Sequence, residues 1–245
     1  IFWSTKRKNI FHLEMNYAEF LSWFIILPLA LVTLKSLKEF RNNRQYFLGI
    51  IFFCLIALIY TSPWDNYLVY KGVWTYSNNV VWGKIGYVPI EEYAFMVLQT
   101  VLAGLFLLIF MRNSREEKMT WSAKGLGCSF LFLIYGGYLY FTKQSVYGGL
   151  ILMWAFPPLA IQWSLGSKVL VKHIRQWLIP WALLTVYLCL SDSFAIDAGI
   201  WSITDETRSG FNLGNLPVEE VLFFALTNLF VMQGLLLWRK CRFEF

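Results

Sequence analysis

The sequence predicts an all-α integral membrane protein: seven transmembrane helices, set out as two parallel three-helix repeats joined by a linker helix. Three observations lead there. Only 15% of the 245 residues are charged, where a soluble domain carries about 25%. Apolar runs of near bilayer-crossing length, about 20 residues, recur along the whole chain. A block of acidic and aromatic residues also appears twice, at matched spacing.

The runs are Tyr17–Leu34, Tyr46–Ser62, Pro89–Met111, Trp121–Phe141, Val146–Leu165, Trp177–Ala195 and Pro217–Trp238. Each is read as a helix, because backbone polar groups facing lipid must be satisfied within their own segment. Residues 1–14 precede a possible start at Met15. They lack a small-residue cleavage site and are expected to be an upstream extension or an expression remnant rather than a signal peptide. The expected organisation is then a first repeat over 15–112, a linker helix over 113–143, a second repeat over 144–239 and a short tail over 240–245.

Lysine and arginine concentrate in alternate loops: Lys35, Lys38, Arg41 and Arg44; Arg112, Arg115 and Lys118, with Lys124; Lys168, Lys172 and Arg175; and Arg239, Lys240 and Arg242. The positive-inside rule makes these loops and the C-terminus cytoplasmic, leaving the N-terminus outside in a multi-pass plasma or inner membrane protein. Lys6-Arg7-Lys8 is the one dissenting cluster. Because the basic residues are spread over short loops, the net charge of +6 is no nucleic-acid signal. Cys54, Cys128, Cys189 and Cys241 are too dispersed for a disulfide framework, and no Cys/His cluster suggests a metal. His12 and His173 sit in basic flanking segments and are expected to be solvated rather than catalytic.

The internal repeat is explicit. Tyr60, Asp65 and Gly72-Val73-Trp74 align without a gap on Tyr187, Asp192 and Gly199-Ile200-Trp201. One inserted residue later, Pro89, Glu91, Glu92, Phe95 and Leu98 align on Pro217, Glu219, Glu220, Phe223 and Leu226. Pro28-Leu29-Ala30 also matches Pro158-Leu159-Ala160. Three helices are an odd number, so a direct junction would invert the second unit; the linker helix restores its orientation. Both Glu-Glu pairs then begin helices on the same non-cytoplasmic side.

Proline and carboxylates at a helix start are ordinary initiation chemistry, with the dipole contributing about 0.3–1 kcal/mol per charge. Their duplication beside a matched aspartate and tryptophan, among lipid-facing positions that have diverged, points instead to acid–base chemistry. Burial in an apolar interior disfavours the ionised form of a carboxyl, and a second carboxylate alongside disfavours it further. A protonated, desolvated carboxylic acid can protonate a carbon–carbon double bond. Glu91, Glu92, Glu219 and Glu220 are therefore the catalytic candidates, and at most one of each pair can face a cavity squarely, since neighbours on a helix diverge by about a hundred degrees. Asp65 and Asp192, at the ends of helices 2 and 6, either hydrogen-bond those glutamates or are solvated loop residues. The loop Pro63–Val88 is rich in tryptophan and tyrosine, most of it expected as interfacial belt. The repeated Trp74 and Trp201 are the candidates for a π wall beside a cation. Asn79 and Asn212 are weaker candidates for orienting a carboxyl. The loops are expected to fold over the glutamates as a lid.

Pro63-Trp64-Asp65-Asn66-Tyr67, Gly72-Val73-Trp74-Thr75-Tyr76 and Pro89-Ile90-Glu91-Glu92-Tyr93 closely resemble the membrane-integral lycopene cyclase domain, in its fused tandem form, over about Met15 to Trp238. The second unit, with Ser191-Asp192-Ser193, diverges more. The resemblance implies lycopene β-cyclisation without net redox change, through γ-carotene to β-carotene. An acid protonates the terminal double bond, the neighbouring double bond attacks the cation, and a base removes a ring proton. One repeat's pair is expected to supply the acid and the other the base or its hydrogen-bond partner. Tyr93, Phe95 and Phe223 join Trp74 and Trp201 as expected substrate contacts. Lycopene would enter sideways from the lipid between the halves, and no obligate protein partner is expected. No cofactor is expected either; a flavin would need a Gly-x-Gly-x-x-Gly that is absent.

A carrier with parallel three-helix repeats shares the plan, but the Pro-Gln pairs of such carriers do not occur here. A retinal protein needs a lysine in the last helix, and Pro217–Trp238 has none. A carotenoid hydratase, quenching the same cation with water, needs similar residues and differs only in its product.

Overall fold

A computed structural model describes residues 15–40, 43–112 and 116–241, with side chains left out at 37–40. The 1–14 segment, with its basic cluster and His12, lies outside the described residues, as do Arg41, Arg115 and Arg242; His173 is 8% exposed, buried against Glu117 and Gln176 rather than solvated. The chain is mostly helical. Helix α1 (Tyr17–Leu21) passes through a π-helical turn at Ser22–Ile26 into α2 (Leu27–Phe40), followed by α3 (Arg44–Tyr70). Then come α4 (Ile90–Phe110), α5 (Ala123–Phe141), α6 (Val146–Lys172), α7 (Ile174–Asp197) and α8 (Val218–Lys240).

Among the described residues six helices are long and apolar enough to cross a membrane: Tyr17–Ser36, α3, α4, α6, α7 and α8. The protein is therefore a multi-pass membrane protein. The remaining expected crossing, α5, is 19 residues long and is diluted by Lys124, Ser129, glycines and tyrosines. It docks on α6 through backbone approaches: a Cβ at Gly125 would fall 2.1 Å from the Trp163 carbonyl oxygen, and one at Gly136 2.9 Å from that of Gly149. Small residues let helices approach this closely in lipid, where packing rather than water exclusion drives association.

Helices α4 and α8 form the centre. Helix α4 packs on α2 and α3 and reaches across to α7; α8 packs on α6 and α7 and reaches across to α3. A polar link crosses this centre, Gln99 Nε2 donating to Thr227 Oγ1 (3.1 Å) and Asn228 Oδ1 (3.2 Å), and Asn228 Nδ2 to Thr185 Oγ1 (3.2 Å).

Two further contacts tie one half to the other. Pro158 has no N–H for the Trp154 carbonyl one turn earlier, and that oxygen accepts the Tyr60 hydroxyl instead, at 2.7 Å. Pro28 likewise leaves the Phe24 carbonyl free, and it accepts the Tyr187 hydroxyl at 2.9 Å.

One sequence expectation is corrected. Helix 2 was expected to end at Ser62, but α3 continues through Pro63 to Tyr70, and α7 runs to Asp197. Asp65 and Asp192 thus lie within helices, 1% and 2% exposed, and are not solvated loop residues. Each helix stops in the same way. Val73 N–H reaches back to the Leu68 carbonyl (3.0 Å) and Ile200 N–H to that of Ala195 (3.1 Å). The left-handed residue between is Gly72 or Gly199, both at φ 71°, a conformation that costs a side chain but not glycine.

From these stops the chain enters β1 (Trp74–Tyr76) and β4 (Trp201–Ile203), which pair antiparallel about Thr75↔Ser202. Trp74, Tyr76 and Trp201 turn inward while Thr75 and Ser202 face out and hydrogen-bond each other at 2.7 Å, the alternation a strand imposes. Two short hairpins follow, β2 (Lys84–Ile85) with β3 (Val88–Pro89) and β5 (Asn212–Leu213) with β6 (Leu216–Pro217). Each delivers its proline to the start of α4 or α8.

Candidate active site

The neighbouring glutamates of each pair point to two different places. Glu91 Oε1 accepts the Trp82 backbone N–H at 2.6 Å. Glu219 Oε1 accepts that of Ser209 at 2.6 Å and the Ser145 hydroxyl at 2.7 Å. Both carboxyls are buried, line neither of the cavities described below, and hold the overlying loop onto the helix start. The second member of each pair points about a hundred degrees away, into the bundle. Glu92 Oε2 accepts the Tyr17 hydroxyl at 2.5 Å and the Tyr76 hydroxyl at 3.1 Å. Burial, and then the Glu92 charge, raise the Tyr76 phenol well above its ordinary pKa, so it remains a donor. Glu220 has the Tyr147 hydroxyl and the Trp74 indole N–H within its reach as donors.

Asp65 and Asp192 complete the cluster. Asp65 lies within electrostatic reach of Glu92 and Glu220, and Asp192 of the same two glutamates. Asp192 Oδ1 accepts the Trp201 indole N–H at 2.8 Å, whereas Asp65 Oδ1 is buried and unpartnered.

Two cavities meet at Glu92. The larger, about 660 Å³, is lined by α3, α4, α6 and α8 and reaches from Asp65 and Glu92 down to Leu165, Leu237 and Trp238. Its polar lining is confined to Asp65, Glu92, Thr61, Gln99, Thr100, Gln162 and Thr227 with the Tyr60 hydroxyl; the rest is apolar or aromatic. The smaller, about 20 Å³, holds Glu92, Asp192 and Glu220 with Tyr17, Trp74, Tyr76 and Trp201. Phe95 and Phe223 line both.

Beside Asp65 the rings form a continuous wall. Trp64 stacks on Trp154 with centroids 4.8 Å apart and on Phe223 at 5.8 Å, and Tyr60 stacks on Trp154 at 5.5 Å. Trp74 meets Phe223 edge-on at 5.7 Å. Aromatic faces present negative charge density, which favours a cation. The arrangement can deliver a proton into an apolar cavity, stabilise the resulting cation against rings, and take a proton back.

Of the sequence-predicted residues, the structure brings Glu92, Glu220, Asp65, Asp192, Trp74, Trp201, Phe95 and Phe223 together around the two cavities. Glu91 and Glu219 face the loops. Tyr93 lies outside both cavities: its hydroxyl donates to the Ile85 carbonyl (2.9 Å) and accepts from Asn66 Nδ2 (2.9 Å), fastening the hairpin. Asn79 is exposed, and Asn212 Oδ1 accepts from Arg208 rather than orienting a carboxyl. Sequence reasoning missed Tyr17, Tyr147 and Trp154, and left Trp64 and Tyr76 among the loop aromatics without singling them out. Tyr17 and Tyr147 keep the same offset as Pro28 and Pro158, so extending the repeat alignment backwards would have found them. Trp154 aligns on Phe24 at that offset, a match of ring to ring that a search for identical residues passes over.

Buried carboxyls closing one end of an apolar cavity suit one class, a membrane enzyme acting on an apolar substrate. Comparison with known proteins agrees. The lycopene cyclase family model matches residues 16–110 and 144–235. The lycopene beta-cyclase of Halobacterium salinarum is 33% identical over 232 residues, 91% of this chain and 95% of that protein. Bifunctional lycopene cyclase/phytoene synthases of Sporisorium reilianum and Blakeslea trispora are 32% and 34% identical over 93% and 87% of this chain, which spans 35% and 37% of their own lengths. No solved structure matches the chain. The chain belongs to the lycopene cyclase family. It is accordingly an enzyme that catalyses a cyclisation, an isomerase-type reaction.

Proposed function

We propose that this enzyme is a lycopene β-cyclase which closes ψ ends of lycopene to β-ionone rings. The observation that carries the proposal is the convergence of Asp65, Glu92, Asp192 and Glu220 at the closed end of an apolar, aromatic-walled cavity. A ψ end placed against Asp65 and Glu92 receives a proton on its terminal double bond. The neighbouring double bond attacks the tertiary cation to form the ring carbon–carbon bond, and loss of a ring proton to a carboxylate completes the isomerisation. Asp65 and Glu92 are the acid–base pair in contact with substrate. Glu220 and Asp192, behind Glu92, hold the proton that must return between turnovers. Trp154 and Phe223, backed by the Trp64 ring stacked on both, supply the cation-stabilising wall, while Glu91 and Glu219 keep the loops closed so that water does not quench the cation to an alcohol.

In this reading the chain crosses the membrane seven times, α5 being the linker, with repeats over 15–112 and 144–239. Two separate family-model matches support it, as do the crossed Tyr60–Trp154 and Tyr187–Phe24 contacts. The carboxyl cluster lies toward the non-cytoplasmic side and the C-terminus in the cytoplasm, because basic residues gather at the opposite helix ends. Lycopene enters from the lipid, and one chain suffices.

The test is product analysis of the purified enzyme with lycopene. Ringed products are expected; a hydroxylated acyclic product, or none, refutes the assignment.

A further inference from the structure

The two halves share their carboxyls but not their access. Ala57 and Thr61 of α3 line the large cavity. Their counterparts in α7, by the spacing that matches Asp65 to Asp192, are Leu184 and Leu188, which are 5% and 1% exposed and packed into the core. Cys54 of α3 corresponds to Trp181, whose indole N–H donates to the Ala225 carbonyl at 2.7 Å across the α7–α8 seam. On the same side Phe24 packs on Phe194 with centroids 5.0 Å apart, and Phe20 meets Trp201 edge-on at 5.2 Å. The recess holding Asp192 and Glu220 is left with about 20 Å³, room for a water but not for the end of a polyene.

The first side is open. Phe53 to Asp65 of α3 and Phe223 to Trp238 of α8 follow the cavity for roughly 20 Å, at 1.5 Å of rise per residue. At its rim Phe52 and Ile56 of α3 face Ile161 and Leu165 of α6, all four exposed. An elongated apolar slot, open sideways and closed at one end by carboxyls, matches a rod-shaped polyene entering end-on from lipid.

Building on the lycopene reading, we propose that the slot between α3 and α6 is the single substrate path. Both ends of the carotenoid are then cyclised at the same Asp65–Glu92 site, one end per binding event. Each event adds one proton to the terminal double bond, forms one ring carbon–carbon bond and releases one ring proton, so no oxidant or reductant is needed. The half-cyclised product must leave the slot and re-enter reversed, and the monocyclic carotenoid is a free intermediate in the membrane. The second repeat contributes carboxyls and no second slot.

The experiment uses the full chain in lipid vesicles with isotope-labelled lycopene. Once monocyclic product has formed, a large excess of vesicles carrying unlabelled lycopene is fused in. Label is expected to stall at the monocyclic stage; label passing undiminished to bicyclic product overturns the proposal. In parallel, Ala57→Leu with Thr61→Leu gives the open slot the side chains of the closed one. Monocyclic and bicyclic formation should fall by the same factor, about a hundredfold. Full activity in the folded variant, or loss of the second ring alone, overturns the single path. A wild-type enzyme that forms no ring at all refutes the substrate reading itself, a result distinct from either of these.

Discussion

Replacing each glutamate of the first pair by glutamine separates a clamp from a reacting group. In Glu91→Gln the new side chain keeps an oxygen for the Trp82 N–H now held at 2.6 Å. What is lost is the charge assistance. Hydrogen bonds to charged groups are worth about 1.5–3 kcal/mol and neutral ones about 0.5–1.5, so the loop loosens by roughly 1 kcal/mol. If that loss falls wholly on the closed state, turnover drops by about fivefold. Glu92→Gln cannot give or take a proton, and losing a general acid or base costs about 10²–10⁴ in rate, or about 3–5 kcal/mol. The Tyr17 and Tyr76 donors survive on the amide oxygen, so the substitution is nearly isosteric. Turnover of lycopene by purified enzyme, with melting midpoints to confirm folding, should therefore rank Glu92→Gln far below Glu91→Gln. Equal losses, or the reverse order, would refute the division of labour. Near-normal ring formation in all of Glu91→Gln, Glu92→Gln, Glu219→Gln and Glu220→Gln would remove carboxyl catalysis altogether.

Other consequences can be measured separately. Tyr17→Phe deletes the shorter donor to Glu92 and should slow ring formation by about tenfold or more, whereas Tyr147→Phe removes a hydroxyl beside Glu220, which stands behind Glu92, and should cost less; kcat values for the two decide this. Tyr187→Phe strands the Phe24 carbonyl and should cost about 1–3 kcal/mol of stability in denaturant titrations, while turnover by the folded variant stays close to wild type. At the other end of the bundle Glu117 accepts from Lys172 Nζ at 2.6 Å and lies 3.3 Å from His173 Nε2. The Lys172 hydrogen bond holds its carboxyl below the ordinary glutamate pKa. A depressed carboxyl contributes its stability above the unfolded value and loses it as pH falls. Glu117→Gln should thus lower the melting midpoint near neutrality, and the gap from wild type should begin to narrow as pH falls through about 4 and close only below the depressed folded value. A gap that persists in acid would refute this role.

Much of the fold was legible because its signals are local. Apolar length located the helices, proline with paired carboxylates marked where α4 and α8 begin, and self-similarity exposed the matched aspartates and tryptophans. The end of α3 was not legible. Pro63 reads as a helix stop, yet in an apolar bundle neighbouring groups re-satisfy the backbone that a proline frees, so the helix continues and carries Asp65 inward. The sequence could not show that α5 lies against α6 through bare glycine contacts either, since close approach depends on the facing backbone.

The sequence by itself determined the class of protein, the family and the small set of carboxyls available for chemistry, because composition and repeat spacing are properties of the chain. Only the tertiary structure decided where each carboxyl points. Glu91 and Glu92 are adjacent and chemically identical, and a rotation of about a hundred degrees about the helix axis sends one to a loop N–H and the other to the cavity. Access was decided at the same level. Two halves with the same carboxyls enclose different volumes because Ala57 and Thr61 stand where Leu184 and Leu188 stand opposite, and space is a property of the packed bundle.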